Sequence, residues 1–395
     1  MPDAATTRRI SVLDTTLRDG EQAPGNAMDP TAKLELALLL EGIGVDCVEV
    51  AFPASSPSEV EATRLVSKAL TRARFATFCR TRRADVEVAV DAGGVANHEV
   101  QMVATGSDLH LEHKRGISRA DSVAEIVDTV TFTKSLGIRH ISVGIEDASR
   151  GADDLLHALT DAAVDSGATC VILADTTGCA TPEEFGEMVA KVREWAPRPV
   201  KLSLHCHHDF GLALANTLAG LRAGADEVQV TLGGIGERSG NTALEEVAAV
   251  LAYKSAQYGC HTDIDLARLY PAYGVLRRII GLAEPRNKAI FGEYAFATAA
   301  GIHQQGMLSN PVTYEYVEPA RFGRQRSLVV GRHSGRTVLR HVLAQLGVEA
   351  DDALVDELYR VHVAERTGGD SEDLSVIRRR LAAELAVRPA ATVTG

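Results

Sequence analysis

CVILADTTGCATPEEFGEMVAKVREWA, residues 170–196, contains the pattern from which the fold is predicted. Its first six residues form a short apolar run typical of a buried strand, and the segment from Thr181 onward has the apolar spacing of an amphipathic helix. A strand followed by a helix is the repeating unit of folds built on a parallel sheet.

The same strand-helix order recurs eight times within about the first 260 residues. The predicted strands are ISVLD, CVEVA, RFATF, EVQMVA, HISVGI, CVILAD, VKLSLHC and EVQVTL, which begin at residues 10, 47, 74, 99, 140, 170, 200 and 227. Glycines that can cap helix ends follow several of the helical segments, at Gly44, Gly137, Gly167 and Gly224. Eight such units predict an α/β protein with a (β/α)₈ TIM barrel, and a doubly wound open sheet is the alternative.

Polar residues collect directly after the predicted strands, which favours the barrel because barrel enzymes place their chemistry at that end of the strands. The residues in these positions are Arg18, Asp19, Glu21, Arg80, Glu146, Asp147, Asp175, Thr176 and the histidines that end the seventh strand.

The alternation of predicted strands and helices stops after about residue 278. We therefore predict a catalytic barrel over residues 1–278, a linker and lid segment over 279–325, and a small helical C-terminal subdomain over 326–395. The segment SLVVGRHSGRTVLRHVLAQLG, from residue 327, is included in the helical part. Only the tail RPAATVTG, residues 388–395, is expected to be disordered.

Composition excludes several classes of function. The net charge of −12 argues against a nucleic-acid or anionic-membrane surface. No apolar run reaches the roughly 18 to 20 residues that cross a bilayer, and the N-terminus shows no secretory leader. The six cysteines form no CxxC pair. We therefore expect a cytoplasmic protein with reduced thiols.

LHCHHDFG, residues 204–211, is the first candidate site. Residues two apart in a strand point to the same side, so His205 and His207 would converge at the barrel mouth. Two imidazoles and one carboxylate form a common set of divalent-metal ligands, although a buried histidine is more often a core residue. We expect Asp209 to cap the helix that follows.

DTTLRDGEQ, residues 14–22, offers the third ligand from another strand end. Asp19 would anchor the ion, and Arg18 would stabilise negative charge on a substrate oxygen. The alternative is a solvated turn around Gly20.

Two further stretches carry weaker patterns. GGIGERSGN, residues 233–241, does not fit a phosphate-binding motif and is interpreted as a tight turn that lets the backbone approach a ligand, with Asn241 at the start of the next helix. GIHQQGMLSNPVTY places His303 and Tyr314 in one segment, and this spacing alone assigns them no chemistry.

Five motifs taken together resemble the 2-isopropylmalate synthase and homocitrate synthase family. They are LDTTLRDGEQAPG, HCHHDFGLALANTLAG, GIGERSGNTALEEV, GIHQQGMLSNPVTYE and VVGRHSGR, within residues 9 to 345. Members of this family are metal-dependent barrel enzymes that condense acetyl-CoA with a 2-oxo acid in a Claisen reaction. The resemblance implies Mg²⁺, Mn²⁺ or Zn²⁺ as cofactor, acetyl-CoA as co-substrate, and a homodimer whose lid segments reach over the partner's barrel.

The resemblance also assigns roles to individual residues. The implied metal ligands are Asp19, His205 and His207, with Asn241 near the ion. The implied catalytic residues are Arg18, Glu146, His303 and Tyr314, and Thr176 would contact the 2-oxo acid. The sequence departs from the family pattern at His208, where the family has asparagine, and at Thr298, where it has histidine.

The substrate is predicted from the cations near the barrel mouth. Arg80 and Arg115 favour a 2-oxo acid with a distal anionic group, as in a homocitrate synthase acting on 2-oxoglutarate. A phosphonate-bearing acid, as for a 2-phosphonomethylmalate synthase, and the 2-isopropylmalate or citramalate reactions are the alternatives. A carbon–carbon lyase is disfavoured because GGIGERSGN lacks a cysteine, and a non-catalytic binding protein because the candidate residues are all present.

Overall fold

The computed structural model describes residues 7–366 and 371–387. The chain divides into two compact units, Met1–Ala283 and Glu284–Gly395. The tail predicted to be disordered, residues 388–395, lies outside the described residues.

Eight parallel strands close into a barrel in the first unit, which confirms the predicted (β/α)₈ fold and excludes the open sheet. They are β2 (Ser11–Asp14), β3 (Cys47–Ala51), β4 (Arg74–Arg80), β5 (His98–Thr105), β6 (His140–Glu146), β7 (Cys170–Asp175), β8 (Lys201–Cys206) and β9 (Glu227–Val230). Outside the barrel, β1 (Arg8–Arg9) pairs in parallel with β10 (Cys260–His261).

Helices lie between the barrel strands in the order expected for this fold. They are α1 (Pro30–Ile43), α2 (Pro57–Ala69), α3 (Arg83–Gly93), the short α4 (Asp108–His110), α5 (Arg119–Ser135), α6 (Asp153–Ser166), α7 (Pro182–Trp195), α8 (Ala213–Arg222), α9 (Leu244–Tyr258) and α10 (Leu269–Ile280). The four predicted capping glycines all have positive φ, between 89° and 110°.

The unit formed by β7 and α7 shows why the sequence folds this way. Every residue of β7 is buried, because its inner face points into the barrel and its outer face lies beneath helices. Thr181 begins α7 with a capping box that it shares with Glu184. Phe185, Val189 and Val192 then recur on the face of α7 that is buried.

The strand register determines which side chains meet at the carboxyl end of the barrel. Because all eight strands are parallel, the loops that follow them gather at one rim. His205 of β8 pairs in register with Gln229 of β9, and Ala174 of β7 pairs with His205 on the other side.

The second unit contains α11 (Gly301–Ser309), α12 (Arg336–Gln345), α13 (Asp352–Tyr359), α14 (Leu374–Ala386) and a small sheet of β11 (Ala297–Thr298), β12 (Ser327–Val330) and β13 (Glu372–Asp373). The helical prediction was wrong at SLVV, which forms β12 between the other two strands. Val330 belongs to the core that α12, α13 and α14 build. Among the described residues, no helix is long and apolar enough to cross a membrane.

Candidate metal centre and cavity

A cavity of about 330 Å³ opens among the residues that end or follow the barrel strands. Six of the predicted site residues line it: Arg18, Asp19, Glu146, Thr176, His205 and His207. They come from four different strand ends, so the barrel and not one local segment assembles this site.

Asp19, His205 and His207 form a cluster of three buried side chains whose candidate ligand atoms all lie within 4.8 Å of one another. The two Nε2 atoms are 3.2 Å apart, and Nε2 of His205 is 3.6 Å from Oδ2 of Asp19. Two imidazole nitrogens and one carboxylate oxygen that converge in this way can hold a divalent ion and leave positions open for substrate.

The surroundings of the cluster fit an ion. Asn241 donates a hydrogen bond of 2.6 Å from Nδ2 to Oδ1 of Asp19, which turns Oδ2 toward the histidines. Oδ1 of Asn241 is buried and accepts no hydrogen bond within the described part of the chain. Buried polar atoms normally have partners, so this atom indicates a site that is completed by a bound group.

The ionisation of the cluster also suits metal binding. Burial lowers the pKa of His205 to about 3 and lowers the pKa of His207 as well, so both imidazoles are neutral at pH 7. Burial acts to raise the pKa of Asp19, but the adjacent Arg18 and the histidines outweigh it, and the pKa lies below its ordinary value. The three side chains therefore have the protonation states that a divalent ion requires.

Arg18 is held in one orientation at the edge of the cluster. Its guanidinium contacts Oδ2 of Asp19 and Oε2 of Glu49, each at 2.8 Å. The group also lies over the ring of Phe78, 4.8 Å from the centroid. A guanidinium fixed on two carboxylates beside a cavity can stabilise negative charge on a bound oxygen without reorganising.

The glycine loop approaches the cluster, and helix α9 begins at Leu244 and not at Asn241 as predicted. Gly236 has φ +149°, and a Cβ there would lie 2.1 Å from Nδ2 of Asn241 and 2.9 Å from Oδ1 of Asp19. Only glycine leaves space for the contact between these two side chains.

A second polar group lies on the β6 and β7 side of the cavity. Nζ of Lys114 contacts the two carboxylate oxygens of Glu146 at 2.6 and 2.7 Å. The hydroxyl of Thr176 accepts a hydrogen bond from the backbone N–H of Asp147, at 2.8 Å. Since Thr176 accepts there, its own O–H is available to donate to a ligand in the cavity.

Arg80 and Arg115 do not line this cavity. Arg80 forms a bidentate pair with Asp85, with distances of 2.8 and 2.9 Å. Nη2 of Arg115 contacts the two oxygens of Glu125 at 2.8 and 2.9 Å. Each guanidinium is thus already paired with a carboxylate of the protein.

The predicted role of Asp209 as a helix cap was wrong. Helix α8 begins three residues later than a cap at Asp209 would require, and its N-cap Leu212 makes no side-chain bond. Asp209 instead accepts hydrogen bonds of 2.7 and 2.9 Å from Arg238. A bidentate pair of opposite charges is stronger than a bond to a backbone N–H, which explains the exchange of partners.

His303 and Tyr314 lie in the second unit, where their rings are in contact with centroids 4.3 Å apart and planes tilted by 36°. Tyr314 is about half exposed, and the neighbouring side chains of Ile302 and Val312 are largely exposed. The structure therefore brings the histidine and the tyrosine of this segment together.

Sequence reasoning missed other residues that line the cavity, among them Gln101, Lys114, Gln229 and Arg238. Gln101 and Gln229 occupy strand positions that alternate with outward-facing residues, so period-two alternation could have found them. Arg238 has a left-handed backbone, with φ +57°. The available signal for this residue was its position in GGIGERSGN, the loop that was expected to approach a ligand.

Comparison with known proteins shows the family to which this chain belongs. The HMGL-like family model matches residues 9–275, and a model described as homocitrate synthase post-HMGL domain-like matches residues 290–366. The 2-isopropylmalate synthase of Sediminispirochaeta smaragdinae is 42% identical over 352 residues, which cover 87% of this chain and 69% of that protein. A Methanopyrus kandleri protein with the provisional name (R)-citramalate synthase is 39% identical over 91% of this chain and 69% of its own length.

Among solved structures, the hydroxymethylglutaryl-CoA lyase of Pseudomonas aeruginosa superposes with a TM-score of 0.61. It is 20% identical, and the match covers 77% of this chain and 99% of the lyase. At this identity the likeness concerns the fold.

Proposed function

We propose that the chain condenses acetyl-CoA with a 2-oxo acid, because it belongs to the HMGL-like family and is similar over most of its length to 2-isopropylmalate synthases. It is an acetyl-CoA-dependent acyltransferase, and the products would be CoA and a 2-substituted malate. The observation that carries the proposal is the buried cluster of Asp19, His205 and His207 beside Arg18 in one cavity.

Different residues of the cavity can perform the separate steps of a Claisen condensation. A divalent ion held by the three ligands would polarise the keto group of the 2-oxo acid. Arg18 would stabilise the negative charge that develops on the keto oxygen during attack. The hydroxyl of Thr176 would donate to the acid's carboxylate, and Glu146, held by Lys114, would take part in proton transfer from the acetyl methyl group.

We propose a short alkyl side chain on the 2-oxo acid. Part of the cavity wall is an apolar stretch formed by Phe78, Met102, Val103, Ile172 and Ala174. The two arginines that favoured a distal anion are paired with carboxylates and lie outside the lining. A stretch of this kind favours an isopropyl or methyl group, because a second charged group placed against it would lose its hydration.

A second candidate keeps the distal anion, as in a 2-oxoglutarate or phosphonate-bearing substrate. It is supported by Lys114, which lines the cavity and is about half exposed. An anionic substrate could compete with Glu146 for this ammonium group.

A panel of 2-oxo acids tests both candidates. Released thiol is measured with acetyl-CoA and 2-oxoisovalerate, pyruvate, 2-oxoglutarate or phosphonopyruvate, and the product is identified by mass. The alkyl proposal expects the highest kcat/KM with 2-oxoisovalerate or pyruvate, and a similar preference in Lys114→Met. A preference for a doubly charged acid that Lys114→Met removes would instead establish the second candidate.

Metal dependence is tested in the same assay. Removal of divalent ions with a chelator should abolish thiol release with every acid, and Mg²⁺, Mn²⁺ or Zn²⁺ should restore it. Full activity in a verified metal-free sample would refute the proposed role of the cluster.

We also propose that the protein acts as a homodimer in which His303 and Tyr314 supply an acid and base pair to the partner's barrel. The largely exposed side chains of Ile302 and Val312 in the same segment support a surface that is covered in an assembly.

A further inference from the structure

Gln229 is the hydrogen-bond partner of one histidine of the metal cluster. The strand register places Gln229 of β9 directly beside His205 of β8, so both side chains point into the barrel at the same height. Oε1 of Gln229 lies 2.9 Å from Nδ1 of His205. Both residues are buried, with exposures of 2% and 7%, so water does not compete for this contact.

This contact selects the form of the imidazole. An amide oxygen only accepts hydrogen bonds, so Nδ1 of His205 must carry the ring proton to bond with it. The lone pair is then on Nε2, which is the atom that faces His207 at 3.2 Å and Asp19 at 3.6 Å. The opposite orientation of the amide would place the proton on Nε2 and prevent this nitrogen from binding an ion.

The second histidine has no equivalent partner. Nδ1 of His207 makes no hydrogen bond to any residue in the ranges 7–366 and 371–387. The protein therefore fixes the ring proton of one ligand through a side chain and leaves the other ligand without such a restraint.

We propose that Gln229 is a positioning residue that holds His205 in its ligand tautomer, and that its neutral amide limits the electron donation from this ligand. The inference rests on the proposed metal-dependent function. Asp19 is the single anionic ligand of the cluster, and Arg18 already withdraws charge from it at 2.8 Å. A carboxylate in place of the amide would make His205 a more basic ligand, bind the ion more tightly and weaken its pull on the keto group.

Metal affinity is the readout that separates this role from a structural one. The full chain is stripped with chelator and titrated with Mn²⁺, and the free ion is followed by its electron paramagnetic resonance signal. We expect Gln229→Met to weaken Mn²⁺ binding by about 10- to 100-fold, as for other partners of metal-bound histidines. We expect Gln229→Glu to bind Mn²⁺ at least as tightly as the wild type, with a lower kcat at saturating Mn²⁺.

Gln101→Met is the matched control for the loss of a buried amide. Gln101 lines the same cavity but donates to Glu99, at 3.2 Å, and is not bonded to the cluster. Its replacement should leave the Mn²⁺ affinity unchanged. Thermal unfolding in chelator reports whether each variant is folded.

The outcomes are distinguishable. Wild-type affinity in a folded Gln229→Met, or weakened affinity in Gln229→Glu, would overturn the role of Gln229 and leave the proposed function standing. If the wild type itself bound no Mn²⁺, the metal site, the proposed function and this inference would fall together.

Discussion

Replacement of Asp14 with asparagine should stabilise the protein, and the gain should grow as the pH rises. Asp14 ends β2 and is fully buried. Its Oδ1 accepts a hydrogen bond of 2.8 Å from the backbone N–H of Thr16, while Oδ2 has no partner within the described ranges. Burial, together with repulsion from Glu245 and Glu49, raises the pKa of Asp14 from 3.8 to about 7.

The direction of this pH dependence follows from whether the folded or the unfolded state keeps the proton of Asp14. Between pH 4 and pH 7 the folded protein keeps the proton on Asp14, whereas the unfolded chain has released it. The stability contributed by Asp14 therefore falls through this window, and the loss is complete above pH 7. At about 1.4 kcal/mol per pKa unit, the whole difference is about 4 kcal/mol, of which about 3 kcal/mol develops between pH 5 and pH 8.

Asparagine has nearly the same shape and no charge. It can keep the bond from Thr16, and it removes the charge that Glu245 and Glu49 repel. Urea unfolding of the full chain in chelator, followed by circular dichroism at pH 5 and pH 8, measures the difference in the free energy of unfolding. Asp165→Asn, on an exposed position of α6, is the control and should change stability little at either pH. A difference between Asp14→Asn and wild type that is the same at both pH values would refute the reasoning.

Two further predictions concern the site and the assembly. Gly236→Ala should weaken Mn²⁺ binding at least tenfold and lower the free energy of unfolding by about 2 to 4 kcal/mol. The reasons are that the new methyl group displaces Asn241 and that the backbone has φ +149°. Unchanged Mn²⁺ affinity would contradict this prediction. Arg18→Ala and His303→Ala should each be nearly inactive, yet about a quarter of wild-type activity should return when they are refolded together, since half the dimers are mixed and each has one intact site. Mixed dimers that form without activity would show that the lid does not act on the partner's barrel.

The barrel could be predicted because its signals are local. In β7 and α7, the apolar run, the Thr181 cap and the apolar spacing all lie within residues 170–196, and each favours the same structure. The strand β12 could not be found in this way. Its four residues SLVV are stabilised by β11 and β13, which lie about 30 residues before it and about 40 residues after it in the chain. A pairing over that distance leaves no periodic pattern in the segment itself.

The metal cluster could be predicted from residue types and strand ends, but the partners of its surrounding charges could not. Position alone placed Arg80 and Arg115 near the mouth, whereas their function depends on Asp85 and Glu125, which neutralise them. In the same way, sequence alternation places Gln229 inside the barrel, but its contact with His205 depends on the register between two strands.

The pairing of charges around the cluster has a consequence for the order of binding. Arg18 is shared between Asp19 and Glu49, and the neutral histidines add no charge, so this group carries a formal charge of minus one. A carboxylate substrate would be repelled from such a site, whereas a divalent ion would change its formal charge to plus one and attract the substrate. The 2-oxo acid should therefore bind measurably only after the ion. The two carboxylates at this strand end thus make the binding of the acid depend on the metal. A calorimetric titration of 2-oxoisovalerate into chelator-stripped and Mn²⁺-loaded protein would measure this dependence, and equal affinity in both forms would refute the electrostatic argument.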